Sequence, residues 1–150
     1  MDALDRKILE TLMSAGRTTW AELASTIGRS PPSTAERVRK LEDCGIIQGY
    51  RAVVDPEAVG YGLLAFVAVS GTSVDGHAEL VEWAKTTAEV QECHSVAGEF
   101  DYLFKLRCRD AEHLEELLHE GVRSPAGMTR SVIVLSTRKE TSAVPLNSDG

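Results

Sequence analysis

Cysteine is scarce in this sequence: only Cys44, Cys93 and Cys108 occur, an odd number with no C-x-x-C pair. That argues against a disulfide framework and against a zinc site. Each cysteine has apolar neighbours in sequence and is expected to be a free, buried thiol. Long apolar runs are missing too. None approaches the roughly eighteen residues of a membrane-spanning helix. The stretch MDALDRKILE is charged from its second residue and has no signal-peptide core, so a cytoplasmic protein is expected. Catalytic signatures are absent: there is no P-loop, no H-E-x-x-H and no G-x-S-x-G. Gly60-Tyr61-Gly62-Leu63-Leu64-Ala65 spells G-x-G-x-x-A, but it leads into a strand pattern and not a helix, so no dinucleotide site is expected. His113 and His119 lie six apart, on different helix faces, and do not make a metal pair. No enzyme activity, cofactor or metal is expected.

What is present divides by charge. Residues 1–51 hold eight Lys/Arg against seven Asp/Glu, while residues 52–150 hold eight against sixteen, within a net charge of −7. A locally basic front joined to an acidic back suits a DNA-contacting module attached to something that avoids DNA.

The front is organised around residues 19–45. Thr19 and Glu22 have the spacing of a capping box. Leu23, Ala24 and Ile27 then give one apolar face, and Gly28 supplies a helix stop. Ser30 is expected to cap the next helix, with Pro31 and Pro32 in a first turn whose amides have no intrahelical partner. Ala35, Val38 and Leu41 are its expected buried stripe, with Ser33, Thr34, Glu36, Arg37, Arg39 and Lys40 on the flanks. Two short helices across a tight turn make a helix-turn-helix, whose second helix presents its N-terminal residues to the major groove. An earlier helix, capped by Asp2, carries Leu4, Ile8, Leu9, Leu12 and Met13. Residues 46–54 are rich in β-formers and are expected as an extended wing, with Arg51 in reach of phosphate.

Arg29, Ser30, Pro32, Ser33, Thr34, Arg37, Lys40 and Arg51 are therefore the candidate DNA contacts. Arg37 has an alternative as a salt bridge within the helical packing, and Arg29 as a cap on the turn. Trp20 is expected to pack.

Asp55-Pro56 and Gly60-Tyr61-Gly62 mark a hinge over 53–62, between a DNA-binding domain of residues 1–52 and a second domain of 63–137. Strands are expected at 63–70, 90–97, 102–108 and 129–135. One helix is expected from Asp75, with Leu80, Val81, Ala84 and Ala88 inward. Another is expected from Asp110, stopped at Ser124-Pro125-Ala126-Gly127. The order βαββαβ is the ferredoxin-like unit. The fold class is α+β, a winged helix-turn-helix followed by this unit. Two helices cover only one sheet face, yet the first and fourth strands read as apolar on both. A second copy is the simplest cover, so a homodimer is expected. Residues 138–150 are expected as a fraying tail.

In order and spacing, these residues resemble the Lrp/AsnC, or leucine-responsive and feast/famine, regulator family over residues 3 to about 137. The front carries Leu4-Asp5, Ile8-Leu9, Gly16-Arg17, Glu22-Leu23-Ala24, Gly28-x-Ser30, Arg37-Val38-x-x-Leu41-Glu42-x-x-Gly45-Ile46-Ile47 and Gly49-Tyr50. The back carries Val96-Ala97-Gly98-Glu99-Phe100-Asp101-Tyr102-Leu103, similar to the family's G-x-x-D-Y loop. The resemblance implies a transcription regulator, associated with the nucleoid, that binds double-stranded DNA and an amino acid or similar small effector. It also implies dimers that assemble further, often to octamers. His94, Gly98, Glu99, Phe100, Asp101 and Tyr102 become the candidate effector-binding residues. Turn amides can hold a carboxylate, and Asp101 can answer an ammonium. Arg29 stands where the family usually has Leu, and Thr34 where it usually has an aliphatic residue. Some tetrapyrrole-pathway decarboxylases resemble the family too, which leaves an enzyme of the same architecture, or a ligand-only sensor, as alternatives.

Overall fold

The computed structural model describes residues 1–122 and 126–147. The chain divides into two compact units, Met1–Val53 together with the stretch from Lys139 onward, and Val54–Arg138. The first unit holds helices α1 (Ala3–Ser14), α2 (Trp20–Ile27) and α3 (Pro31–Asp43). Asp2 and Asp5 form a capping box on α1, and Thr19 and Glu22 form the expected one on α2. Ile8, Leu9, Leu23, Ile27, Val38 and Leu41 make the core between the three helices.

The buried stripe of α3 is Thr34, Val38 and Leu41, with Ala35 only half-buried. A strict three-residue repeat drifts around a helix of 3.6 residues per turn, and steps of four and three hold one face. Residues 46–54 are turn and coil, not strand. β-prone residues need a neighbouring ladder to satisfy their backbone groups, and the first unit has no strand among its described residues. The Tyr50 hydroxyl instead donates to Glu42 Oε1 at 2.9 Å, tying this stretch back to α3. Up to Asn147, the last described residue, the expected tail does not fray. Leu146 packs against the helical core, and Arg6 Nη1 donates to the Asn147 carbonyl at 3.2 Å. Trp20 does not pack as expected and is half exposed, and Cys44 and Cys93 are exposed, not buried. Only Cys108 is a buried thiol, its pKa pushed up to about 11 chiefly by burial.

The second unit runs β1 (Leu63–Ser70), α4 (Val74–Thr86), β2 (Val90–Ser95), β3 (Tyr102–Cys108), α5 (Ala111–Gly121) and β4 (Met128–Ile133). The sheet order is β2-β3-β1-β4 with every neighbour antiparallel, as a ferredoxin-like unit requires. The expected strand ends at 97 and 135 are shorter by two residues each. α4 is capped by Ser73, whose side chain accepts from the Gly76 amide, so it starts before Asp75; Ala88 lies beyond its end. Ser124 and Pro125, expected to stop α5, lie outside the described residues.

Register sorts the two sheet faces. Ala65 opposes Leu106, Val67 opposes Phe104 and Val69 opposes Tyr102, all buried with Leu80, Leu114 and Leu117 of the helices. The other face carries Phe66 opposite both Lys105 and Val132, and Leu103 opposite both Ala68 and His94. Phe66, Leu103, Val132 and Met128 are exposed there, and every residue of β4 is exposed in the single chain.

Candidate functional site

In the helical unit, Gly28 adopts φ 65°, and the Arg29 amide reaches back to the Ala24 carbonyl at 3.0 Å. The chain therefore leaves α2 sharply, which no L-residue does cheaply. This places Arg29, Ser30, Pro32 and Lys40 outward and leaves Ser33 half-buried at the first turn of α3. Ser30 is the N-cap residue but makes no side-chain cap bond. Pro31 and Pro32 have no N–H, so Ser33 alone among the first three helical residues offers an amide forward. Arg51 is exposed in coil.

Two expected DNA contacts are placed otherwise. Thr34 is fully buried, and its Oγ1 donates to the Ser30 carbonyl at 3.0 Å, so it packs where the family usually has an aliphatic side chain. Arg37 is engaged within the unit: Nη1 donates to Asp2 Oδ2 and to Asp5 Oδ1, each at 2.7 Å. The salt-bridge alternative is the geometry found, and Arg37 holds α3 to the start of α1. Lys40 pairs with Glu36 at 2.8 Å, on a well-exposed flank. The carboxylates of Asp2 and Asp5 gave no functional signal in the sequence beyond helix capping.

Two outcomes follow from this placement. Thr34→Ala removes a buried hydrogen bond and a methyl group, and should lower the stability of the helical unit by about 1–2 kcal/mol in denaturant unfolding. Affinity for DNA, measured well below the unfolding transition, should change less than twofold. The second concerns acid. The Asp2 carboxyl is lowered to about 2, first by the Asp5 backbone N–H and then by Arg37. A depressed acid contributes stability that is present above its unfolded value near 3.8 and is lost as pH falls toward 2. The stability of the parent should therefore fall between pH 4 and pH 2, and Asp2→Asn should flatten that part of the profile.

In the sheet unit, the turn between β2 and β3 is closed by Val96 N–H to the Asp101 carbonyl at 3.1 Å. The Asp101 N–H donates to the Val69 carbonyl at 2.7 Å, locking the turn to the end of β1. Asp101 Oδ2 accepts from the Thr72 amide at 2.9 Å, and this bond is the chief cause of its lowered pKa. Thr72 Oγ1 lies buried nearby without a hydrogen bond of good geometry. Among the described residues, no amide of Ala97, Gly98, Glu99 or Phe100 donates to another backbone carbonyl. The Arg130 guanidinium lies over the Phe100 ring, 5.7 Å from its centre.

The six expected effector residues do not all face one place. Gly98, Glu99, Phe100 and Asp101 share the turn. His94 shares the uncovered face with Leu103, and its Nε2 lies 3.1 Å from Glu92 Oε2. Tyr102 is on the opposite face, buried in the core, with its hydroxyl 3.2 Å from His77 Nδ1 on α4. Thr72, His77 and Arg130 surround the turn and were not singled out from sequence. Only their pairing across the fold brings them there.

The comparisons with known proteins agree with both halves. Residues 1–48 match the winged helix-turn-helix DNA-binding model, and residues 64–144 match the Lrp/AsnC ligand binding domain. The HTH-type transcriptional regulator LrpA of Mycobacterium tuberculosis is 40% identical over 138 residues, 91% of each chain. The leucine-responsive regulatory protein of Escherichia coli K12 is 36% identical over 154 residues, covering 99% of this chain and 93% of its own. Among solved structures, a Neisseria meningitidis transcriptional regulator in complex with L-Met superposes with a TM-score of 0.92 at 33% identity, covering 98% of this chain and 97% of that one. The helix-turn-helix, the ferredoxin-like unit and these matches across nearly the whole length have one reading: the chain belongs to the Lrp/AsnC family of DNA-binding transcriptional regulators.

Proposed function

We propose that this regulator acts as a homodimer, or an assembly of dimers, whose DNA binding changes when a free amino acid or a related small metabolite settles beside the 96–102 turn. The observation that carries the DNA half is the split of α3. Thr34, Val38 and Leu41 are buried, while Arg29, Ser30, Pro32 and Lys40 stay in solvent and Ser33 half so. The effector half is supported by the Gly98–Phe100 amides and by the Asp101 carboxylate pinned to Thr72. The dimer is supported by Phe66, Leu103, Val132 and Met128, which leave one sheet face apolar and exposed. A two-fold dimer would set two recognition helices on half-sites about one helical turn of DNA apart. Catalysis has no part in this reading, which places the protein in the cytoplasm on the nucleoid. Among the described residues, no helix is long and apolar enough to cross a membrane.

The experiment is a titration of the purified protein onto the DNA upstream of its own gene and onto genomic fragments, at two salt concentrations, with and without pooled amino acids. Affinity should fall steeply with salt, as phosphate neutralisation requires, and the pool should shift it. Binding that ignores the pool would sink the effector half alone. Light scattering that gives a monomer at working concentration would sink the dimer.

A further inference from the structure

The helical unit is connected to the rest of the chain twice: the chain leaves it at Val53 and returns at Lys139. Nothing in the polar composition of the returning segment suggests a docking element, yet it carries a single apolar anchor. Val144 is 62% exposed, whereas Leu146 packs against the core cluster of the three helices. Next to the anchor, the Asn147 carbonyl accepts from Arg6 of α1. Arg6 adjoins Asp5, and Asp5 with Asp2 holds Arg37 of the recognition helix. The segment is also stiffened before it docks. The Ala143 amide donates to Thr141 Oγ1 at 3.1 Å, and Pro145 fixes φ immediately ahead of Leu146. Both lower the conformational entropy that docking must remove.

We propose that the segment 139–147 is an intrachain clasp: a second tether that docks on α1 and, through the Arg6–Asp5–Arg37 succession, steadies the recognition helix. Leu146, its apolar anchor, is only half-buried, so the segment opens and closes without unfolding the core. The clasp does not depend on what the effector is or where it binds.

Hydrogen exchange on the full-length protein tests it, with β1 as internal reference. In Leu146→Asp, and in a chain ending at Arg138, the α1 amides of Ile8 and Leu9 should exchange about tenfold faster while β1 amides keep the parent rate. Leu146→Met should keep the parent rate throughout. The clasp is overturned if α1 exchange stays within twofold of the parent in both variants. It is equally overturned if β1 loses protection in both, since the segment would then belong to the core of the whole chain. Parent α1 rates that depend on protein concentration would place the segment on another copy and refute an intrachain clasp.

Discussion

Gly121→Ala should destabilise the sheet unit by about 2–4 kcal/mol, although the same change in an ordinary helix interior gains up to about 1 kcal/mol. Gly121 lies in the last turn of α5 and is buried. A Cβ built there runs into the Trp83 indole of α4, at its ring-fusion atoms and Nε1. The indole has two torsions and a rigid body, so it cannot bend out of the way as a methionine would. Trp83 is also committed elsewhere, standing edge-on to Phe104 with ring centres 5.6 Å apart and planes at 75°. Phe104 is 1% exposed and central to the core. Overpacking of this kind costs about 1–3 kcal/mol, and a displaced aromatic pair loses about 0.5–1.5 kcal/mol more. The measurement is urea unfolding followed by far-ultraviolet circular dichroism, on the parent, Gly121→Ala, Trp83→Leu and the double variant. If the clash is the cause, Gly121→Ala costs little once Trp83 is leucine, giving a coupling of about 1–3 kcal/mol. Equal costs in both backgrounds would refute it.

That close approach was invisible in the sequence, where Gly121 is one more residue before an expected helix stop. What was legible follows from local rules. The capping box Thr19-Glu22 closed as its spacing required, and Leu80 and Ala84 went inward as a 3.6-residue period dictates. The order of strands and helices named the ferredoxin-like topology, because short connections and antiparallel neighbours leave few other ways to close such a sheet. Errors came where a residue's fate depends on a partner far along the chain. Residues 46–54 have β-propensity but no strand to pair with. Thr34 looked outward when the stripe was counted in threes. For Arg37 the salt bridge was foreseen as an alternative, but not its partners, because the two carboxylates lie 32 and 35 residues earlier. Leu146 looked like tail because the helical core it packs against lies about a hundred residues or more earlier in the chain.

The turn between β2 and β3 divides the same way. Gly98 and Asp101 were legible because turns favour those residues, and the family motif marked them. That Asp101 would spend one oxygen on the Thr72 amide was not, since Thr72 follows β1 and meets the turn only through the β1–β3 ladder. Tyr102 was grouped with the turn by adjacency. The two-residue period of a strand sends its side chain to the face away from His94 and Leu103, into the core.

Arg29→Glu should weaken DNA binding about 100-fold in roughly 0.1 M salt, the largest loss expected from any single change on the recognition surface. Four cations of the helical unit differ in what they give up to meet a phosphate. Arg37 gives up two carboxylates at 2.7 Å before it can meet a phosphate, and Lys40 gives up Glu36. Arg51 is exposed in coil, with a floppy stem to order on binding. Arg29 is exposed on the turn that Gly28 sets, directly before α3, and makes no ion pair among the described residues. Its charge is therefore available to DNA at a rigid position. Removing the charge by Arg29→Leu should weaken binding about tenfold and reduce the slope of log affinity against log salt by about one, with circular dichroism and stability unchanged. Leucine is also what the family usually carries here, so the variant asks whether this chain has added a contact that most of its relatives do without. A uniform loss across DNA sequences would identify a phosphate contact, while relaxed preference at one base pair would identify a base contact. An Arg29→Leu protein that binds as tightly and as salt-dependently as the parent would show that the turn stands clear of the duplex. The exposed edge of α3 beyond it, from Ser33 to Lys40, would then have to supply the affinity.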